Sequence, residues 1–107
     1  MIDNRKLKDT MDRLGYEERY SGTRYIRSAV SMIDRDREAM MCKDIYPGIA
    51  AMTGGSAARI ERAMRSATEN AMRSINWRDE WGNLGGWGRP NNSEVIRRLA
   101  RECSDAD

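Results

Sequence analysis

Histidine and phenylalanine are absent from this 107-residue chain, and cysteine and proline occur only twice each. Without histidine there is no imidazole general base, which removes the serine and cysteine triads that depend on one. Cys42 and Cys103 lie far apart and outside any C-x-x-C spacing, with no histidine to join them at a metal. Both are expected to be reduced and partly buried. No stretch approaches the ~20 apolar residues of a membrane span, and the N-terminus lacks the hydrophobic segment of a signal peptide. Glycine-rich phosphate loops and nucleophile elbows are missing. Acidic residues alternate with Arg and Lys along helical stretches, the pattern of solvated faces rather than of converging acid–base pairs. The expectation is a cytoplasmic, non-enzymatic protein with no metal, no cofactor and no membrane association.

What remains is a helical chain. Apolar residues recur with a helical period along most of the sequence, although 34% of residues are charged. No segment alternates as a strand does, and no repeat or low-complexity tract occurs. The length suits a single all-α domain over residues 1–107. Leu7, Met11 and Leu14 define a first helix over residues 3–14, with Asp3 near its start and Gly15 as its stop. Ser21 or Gly22 opens a second helix, whose stripe of Ile26, Ala29, Val30 and Ile33 runs on toward Met40. Met32, Met40, Met52 and Met64 read as adaptable core filler.

The most informative stretch is Gly54 to Arg65. Ile45, Ile49 and Met52 mark a short helix of about eight residues, with Pro47 tolerated in its first turn. Thr53, Gly54 and Gly55 end it, and Ser56 caps the next helix. Ile60, Ala63, Met64, Ala67, Ala71 and Ile75 form that helix's apolar face. At ~100° per residue, Ala58, Arg62, Arg65, Glu69 and Arg73 form the opposite stripe. Short helix, glycine turn and long basic helix, over residues 45–76, have the order of a DNA-binding helix-turn-helix. The net charge of +2 is modest, but the basic residues are sixteen Arg to three Lys, which suits forked contacts to guanine or phosphate. They concentrate at residues 56–78, whereas Glu102, Asp105 and Asp107 close the chain.

Trp77, Trp81 and Trp87 alternate with Gly82, Gly85, Gly86 and Gly88 in a loop or short helix, where the indoles are expected to anchor the segment to the core. Asn91 and Glu94 then make a capping box for a last helix bearing Val95, Ile96, Leu99 and Cys103. Arg97, Arg98 and Arg101 form its wet face.

Four ordered segments carry a resemblance: Gly22 to Val30, Ile45-Tyr46-Pro47 with Ile49-Ala50, Arg59 to Arg65, and Pro90-Asn91-Asn92-Ser93-Glu94. With them, from about Leu14 to Leu99, the chain resembles the C-terminal effector domains of the sporulation stage-zero response regulators, the transcription factors of endospore formation. The resemblance implies about six helices, with the third and fourth forming a helix-turn-helix. It implies base reading of a TGTCGAA-type box by Glu61, Arg62 and Arg65. Arg can bind guanine O6 and N7 with two bonds, and Glu accepts from cytosine N4. Arg89, the basic residue before the Pro-Asn-Asn-Ser-Glu segment, is implied to contact a phosphate, as Ser56, Arg59 and Arg73 are expected to do beside the reading helix.

The chain departs from the family pattern in three ways. Ala58 stands where serine is usual. The loop before the last helix is shorter and richer in Trp and Gly. Met1 leads at once into the first helix, so the expectation is a free-standing domain without a receiver domain, to which control by aspartyl phosphorylation is not carried over. The expected function is sequence-specific regulation of transcription on double-stranded DNA, as a homodimer or as tandem monomers on repeated boxes. The alternative is a protein-interaction module, or antagonist of such a regulator, that kept the fold and lost DNA binding.

Overall fold

A computed structural model describes residues 1–105, so the acidic position Asp107 lies outside the described residues. Six α-helices, joined by one turn of π-helix, make an all-α fold with no strand among the described residues. Helix α1, Asn4–Leu14, begins where the Asp3 carboxylate accepts the Lys6 N–H. It ends where Gly15, at φ 105°, donates its N–H to the Met11 and Asp12 carbonyls. The left-handed conformation costs glycine little, which is why the stop falls there.

Helix α2, Ser21–Arg35, follows Tyr20 and buries Ile26, Ala29, Val30 and Ile33 as its periodicity demands. Its stripe does not reach Met40. Asp36 turns extended and takes the Glu38 N–H on its carboxylate, and Met40 is exposed. A π-helical turn, Met41–Ile45, then leads directly into α3, Tyr46–Thr53. The Asp44 carboxylate accepts the Met40 N–H at 2.8 Å and closes that turn. Pro47 sits in the first turn of α3, directly after the π-turn, whose last N–H, from Tyr46, still donates to the Met41 carbonyl.

Gly54, at φ 76°, ends α3, and α4 runs Ala57–Ala71. Ile60, Met64, Ala67 and Ala71 are buried and Ala63 is half-buried. Ile75, expected on the same face, is 94% exposed because the helix has already turned off at Met72. Helix α5, Trp77–Asn83, packs on α1, and α6, Asn92–Cys103, packs on α2. The Asn91–Glu94 capping box that starts α6 is complete in both directions.

The core lies between α2, α4 and α6. Ile2 bridges to Ser104, and the Asp3 N–H donates to the Cys103 carbonyl at 2.9 Å, so the two ends of the described chain lie side by side. Tyr16 joins α1 to α4 through a buried 2.7 Å hydrogen bond to Thr68, and burial pushes its hydroxyl far above the usual tyrosine range. Tyr16 also meets Trp77 edge-on, and Trp77 stacks on Trp81 at 5.4 Å.

Several side chains lie elsewhere than periodicity suggests. Trp77 and Trp81 anchor α5 in the core, but Trp87 is 89% exposed. Met64 is core and Met32 packs against it, whereas Met52, like Met40, faces out. Both cysteines are free thiols, but Cys103 is buried and Cys42 exposed, because the π-turn directs residue 42 outward while α6 faces residue 103 inward.

Candidate nucleic-acid interface

Helix α4 opens on two small residues. Ala57 and Ala58 follow Ser56, whose hydroxyl oxygen accepts the Arg59 N–H at 3.2 Å. That bond uses a lone pair and leaves the hydroxyl proton free to donate. Gly54 has no atom within 4 Å of a hypothetical Cβ, so the turn ahead of α4 is open on that side. Behind this tip, Ala58, Arg62, Arg65 and Glu69 are all exposed along one stripe. Arg73 is exposed as well, but it lies beyond the helix in the turn after Met72.

Two of the three expected base readers are paired with each other. Arg65 Nε lies 3.4 Å from Glu61 Oε1, one turn back on the helix. The pair is half exposed, so its net worth is below about 1 kcal/mol and a ligand can replace it cheaply. Arg62 differs. Like Arg59, Arg73 and Arg89, it has no carboxylate within 4.0 Å among the described residues. These four cations are not neutralised internally, unlike Arg13, Arg19 and Arg27, which pair with Glu80, Glu17 and Glu18.

The stripe is flanked by two cavities. On one side Glu61, Arg65 and Arg89 line a cavity of about 560 Å³ under the start of α6. Arg89, distant in sequence, is thus brought to the edge of the exposed face of α4. On the other side Arg59 lines a cavity of about 290 Å³ with Ser21 and Tyr25 of α2. Ser56, Arg59, Glu61, Arg62, Arg65 and Arg89 therefore surround the N-terminal two-thirds of α4, and Arg73 stands apart at its far end.

Two residues that position this surface are not visible from sequence spacing. Asn92 is buried and donates through Nδ2 to the Tyr46 hydroxyl at 3.1 Å and to the Glu61 carbonyl at 3.2 Å. One side chain thereby links α3, the middle of α4 and the start of α6. Desolvation pushes the Tyr46 hydroxyl above its ordinary range, so it remains protonated at this junction. Asn92→Ala strands the Tyr46 oxygen and is expected to cost ~1–3 kcal/mol. In thermal melts followed by circular dichroism that is a fall of roughly 4–8 °C per kcal/mol for a domain of this size. An unchanged midpoint would show that the junction contributes nothing.

Gly22 is the second. At the start of α2 it lets that helix touch the backbone of α4, where a Cβ would sit 1.9 Å from the Ala63 carbonyl oxygen. The orientation of α4 is therefore set from α2, α6 and the loop after α1 together.

Residues 7–103, from the first buried leucine of α1 to the buried Cys103 that ends α6, match the family model described as Sporulation initiation factor Spo0A C terminal. The match covers α2 to α6, most of α1 and the whole surface around α4, and the chain belongs to the family of Spo0A C-terminal domains.

Proposed function

We propose that this protein regulates transcription by sequence-specific binding to double-stranded DNA, with α3 and α4 acting as a helix-turn-helix and α4 lying in the major groove. Family membership supports the coarser part, since the family is that of the DNA-binding effector domain of a sporulation regulator and is not an enzyme family. One observation carries the finer part. Arg62 projects from the centre of an exposed face with no carboxylate within 4.0 Å among the described residues, behind two alanines that open the helix and leave its tip narrow enough to enter a groove. Arg62 and Arg65 then read guanine, and Glu61, released from Arg65, accepts from cytosine N4. Ser56, Arg59, Arg73 and Arg89 take phosphates around them. On repeated boxes a homodimer or tandem monomers occupy the DNA, and the site of action is the cytoplasmic nucleoid.

The test is fluorescence anisotropy of the purified chain with a duplex carrying a TGTCGAA-type box and with a scrambled duplex. Tighter binding to the box supports the proposal. Equal weak binding to both leaves either a changed operator or the alternative, an interaction module that kept the fold but not DNA binding.

Arg89 has a distinguishable part. As a phosphate contact it contributes no base preference, so Arg89→Ala is expected to weaken both duplexes alike. The slope of log K against log salt should become shallower by about 0.9 for the one phosphate released. A loss confined to the box duplex would make Arg89 a base reader instead.

A further inference from the structure

A third cavity, of about 530 Å³, opens between the loop after α5 and the outer face of α6. Four arginines line it, Arg89, Arg97, Arg98 and Arg101, against a single carboxylate, Glu94. That carboxylate is already engaged, because its Oε1 accepts the Asn91 N–H in the capping box. Arg97 is engaged as well, donating to Ser93 Oγ and to the carbonyls of Arg37 and Ala39. The other three have no carboxylate within 4.0 Å among the described residues. Arg98 and Arg101 are three apart on α6 and so share a side of it. The Arg98 guanidinium packs on Gly85, with Nη1 3.0 Å from where a Cβ would stand.

The remaining wall is aromatic. Trp87 lines the cavity with its ring almost wholly exposed, and the cation–π contact among the described residues is elsewhere, Arg19 over Tyr20. Trp81, also in the wall, is 3% exposed, and its Nε1 is buried without a hydrogen-bond partner. Gly86 lies directly on that ring, since a Cβ there would come 2.2 Å from it. An exposed indole and three guanidiniums with no carboxylate partner among the described residues therefore line one cavity.

We propose that this cavity binds a nucleoside di- or triphosphate, its base stacked on Trp87 and its phosphates held by Arg98 and Arg101, with Arg89 at the rim. The volume lies within the ~300–1,000 Å³ usual for small-ligand pockets. Guanidinium forks match phosphate oxygens two at a time, and indoles stack on any unpaired base. Bases within a duplex are already stacked on one another and offer Trp87 no face. The site is separate from α4, none of whose residues line it.

Isothermal titration of the purified chain with ATP, tripolyphosphate and adenosine tests the assignment. ATP is expected to bind with one site per chain, more tightly than tripolyphosphate, with adenosine weakest. Trp87→Ala and the double variant Arg98→Gln/Arg101→Gln should each weaken ATP by at least ~10-fold, the scale of one stacked base or one charged fork. Trp87→Phe should restore most of the loss, and Arg62→Ala should leave ATP binding unchanged. Thermal melts check that each variant is folded. Several results would overturn the proposal: no ATP binding to the wild type, binding that survives both variants, or tripolyphosphate as tight as ATP. Trp87-dependent binding of a single-stranded oligonucleotide without ATP binding would overturn it too, and would assign the platform to single-stranded DNA.

Discussion

Arg62→Ala is expected to lower affinity for the cognate box by ~1–3 kcal/mol, roughly 5- to 150-fold, and to abolish discrimination at one base pair. The folded protein should be untouched, within about 0.5 kcal/mol, because Arg62 is exposed and has no internal ion pair to lose. The measurement is anisotropy on the box and on its single-base variants. At the position Arg62 reads, wild type and variant should converge; elsewhere they should remain parallel. Equal loss on every duplex would move Arg62 to the phosphates, and no loss would remove α4 from the groove. Arg65→Ala behaves differently, because Glu61 stands 3.4 Å away. Deleting Arg65 removes an ion pair that binding must otherwise break, so Arg65→Ala is expected to cost less than Arg62→Ala. Glu61→Gln, which loses the acceptor for cytosine N4, should lower box affinity in either background.

Gly22→Ala should destabilise the fold more than a methyl added at either of the other helical glycines, Gly48 and Gly82. Helix propensity alone argues the reverse, since alanine is better than glycine inside a helix by up to ~1 kcal/mol. The added carbon would meet the Ala63 carbonyl oxygen at 1.9 Å, its carbonyl carbon at 2.5 Å and the Ala67 Cβ at 2.9 Å. None of these is a flexible side-chain end, so relief requires moving α2 away from α4. A loss of about 3 kcal/mol or more is expected, at the upper end of overpacking. Gly82→Ala is the matching control, a helical glycine with no atom within 4 Å of a Cβ, and should show the propensity gain unopposed. Chemical denaturation of both variants decides the matter. If Gly22→Ala is as stable as wild type, the close approach of the two helices is not needed. If it is destabilised, box affinity should fall with it, because the displaced helix is the one bearing Arg62.

What the sequence reveals and what it conceals divide by range. Asp3, Gly15, Gly54, Ser56 and the Asn91–Glu94 box act within four residues of themselves, so their spacing suffices to locate them. Periodicity likewise identifies the buried faces of α2, α4 and α6. It supplies phase without showing where a helix stops or what covers it, and so it assigns Met40, Met52 and Ile75 to a core they do not reach. The end of α2 depends on the Asp36 and Asp44 carboxylates taking backbone N–H groups, bonds with no apolar signature. Trp87 has the same residue type as Trp77 and Trp81, and only the path of the loop distinguishes them. At the interface, the arginine stripe of α4 is legible because one helix carries it. Asn92 and Gly22 are not, because each acts on a segment more than thirty residues away.

The restraints on α4 are unevenly spread along it. Asn92 grips it at Glu61, Gly22 abuts it at Ala63, Tyr16 bonds it at Thr68 and Glu17 at Asn70. Before Glu61 the cap from Ser56 is the only side-chain hydrogen bond among these restraints, next to a turn that is open on the Gly54 side. Amide protons should therefore exchange with solvent along a gradient, fast near Arg59 and slow near Thr68. A helix anchored at its rear and pliant at its leading turn can adjust its tip to a groove whose width varies with sequence, while the body behind it stays fixed.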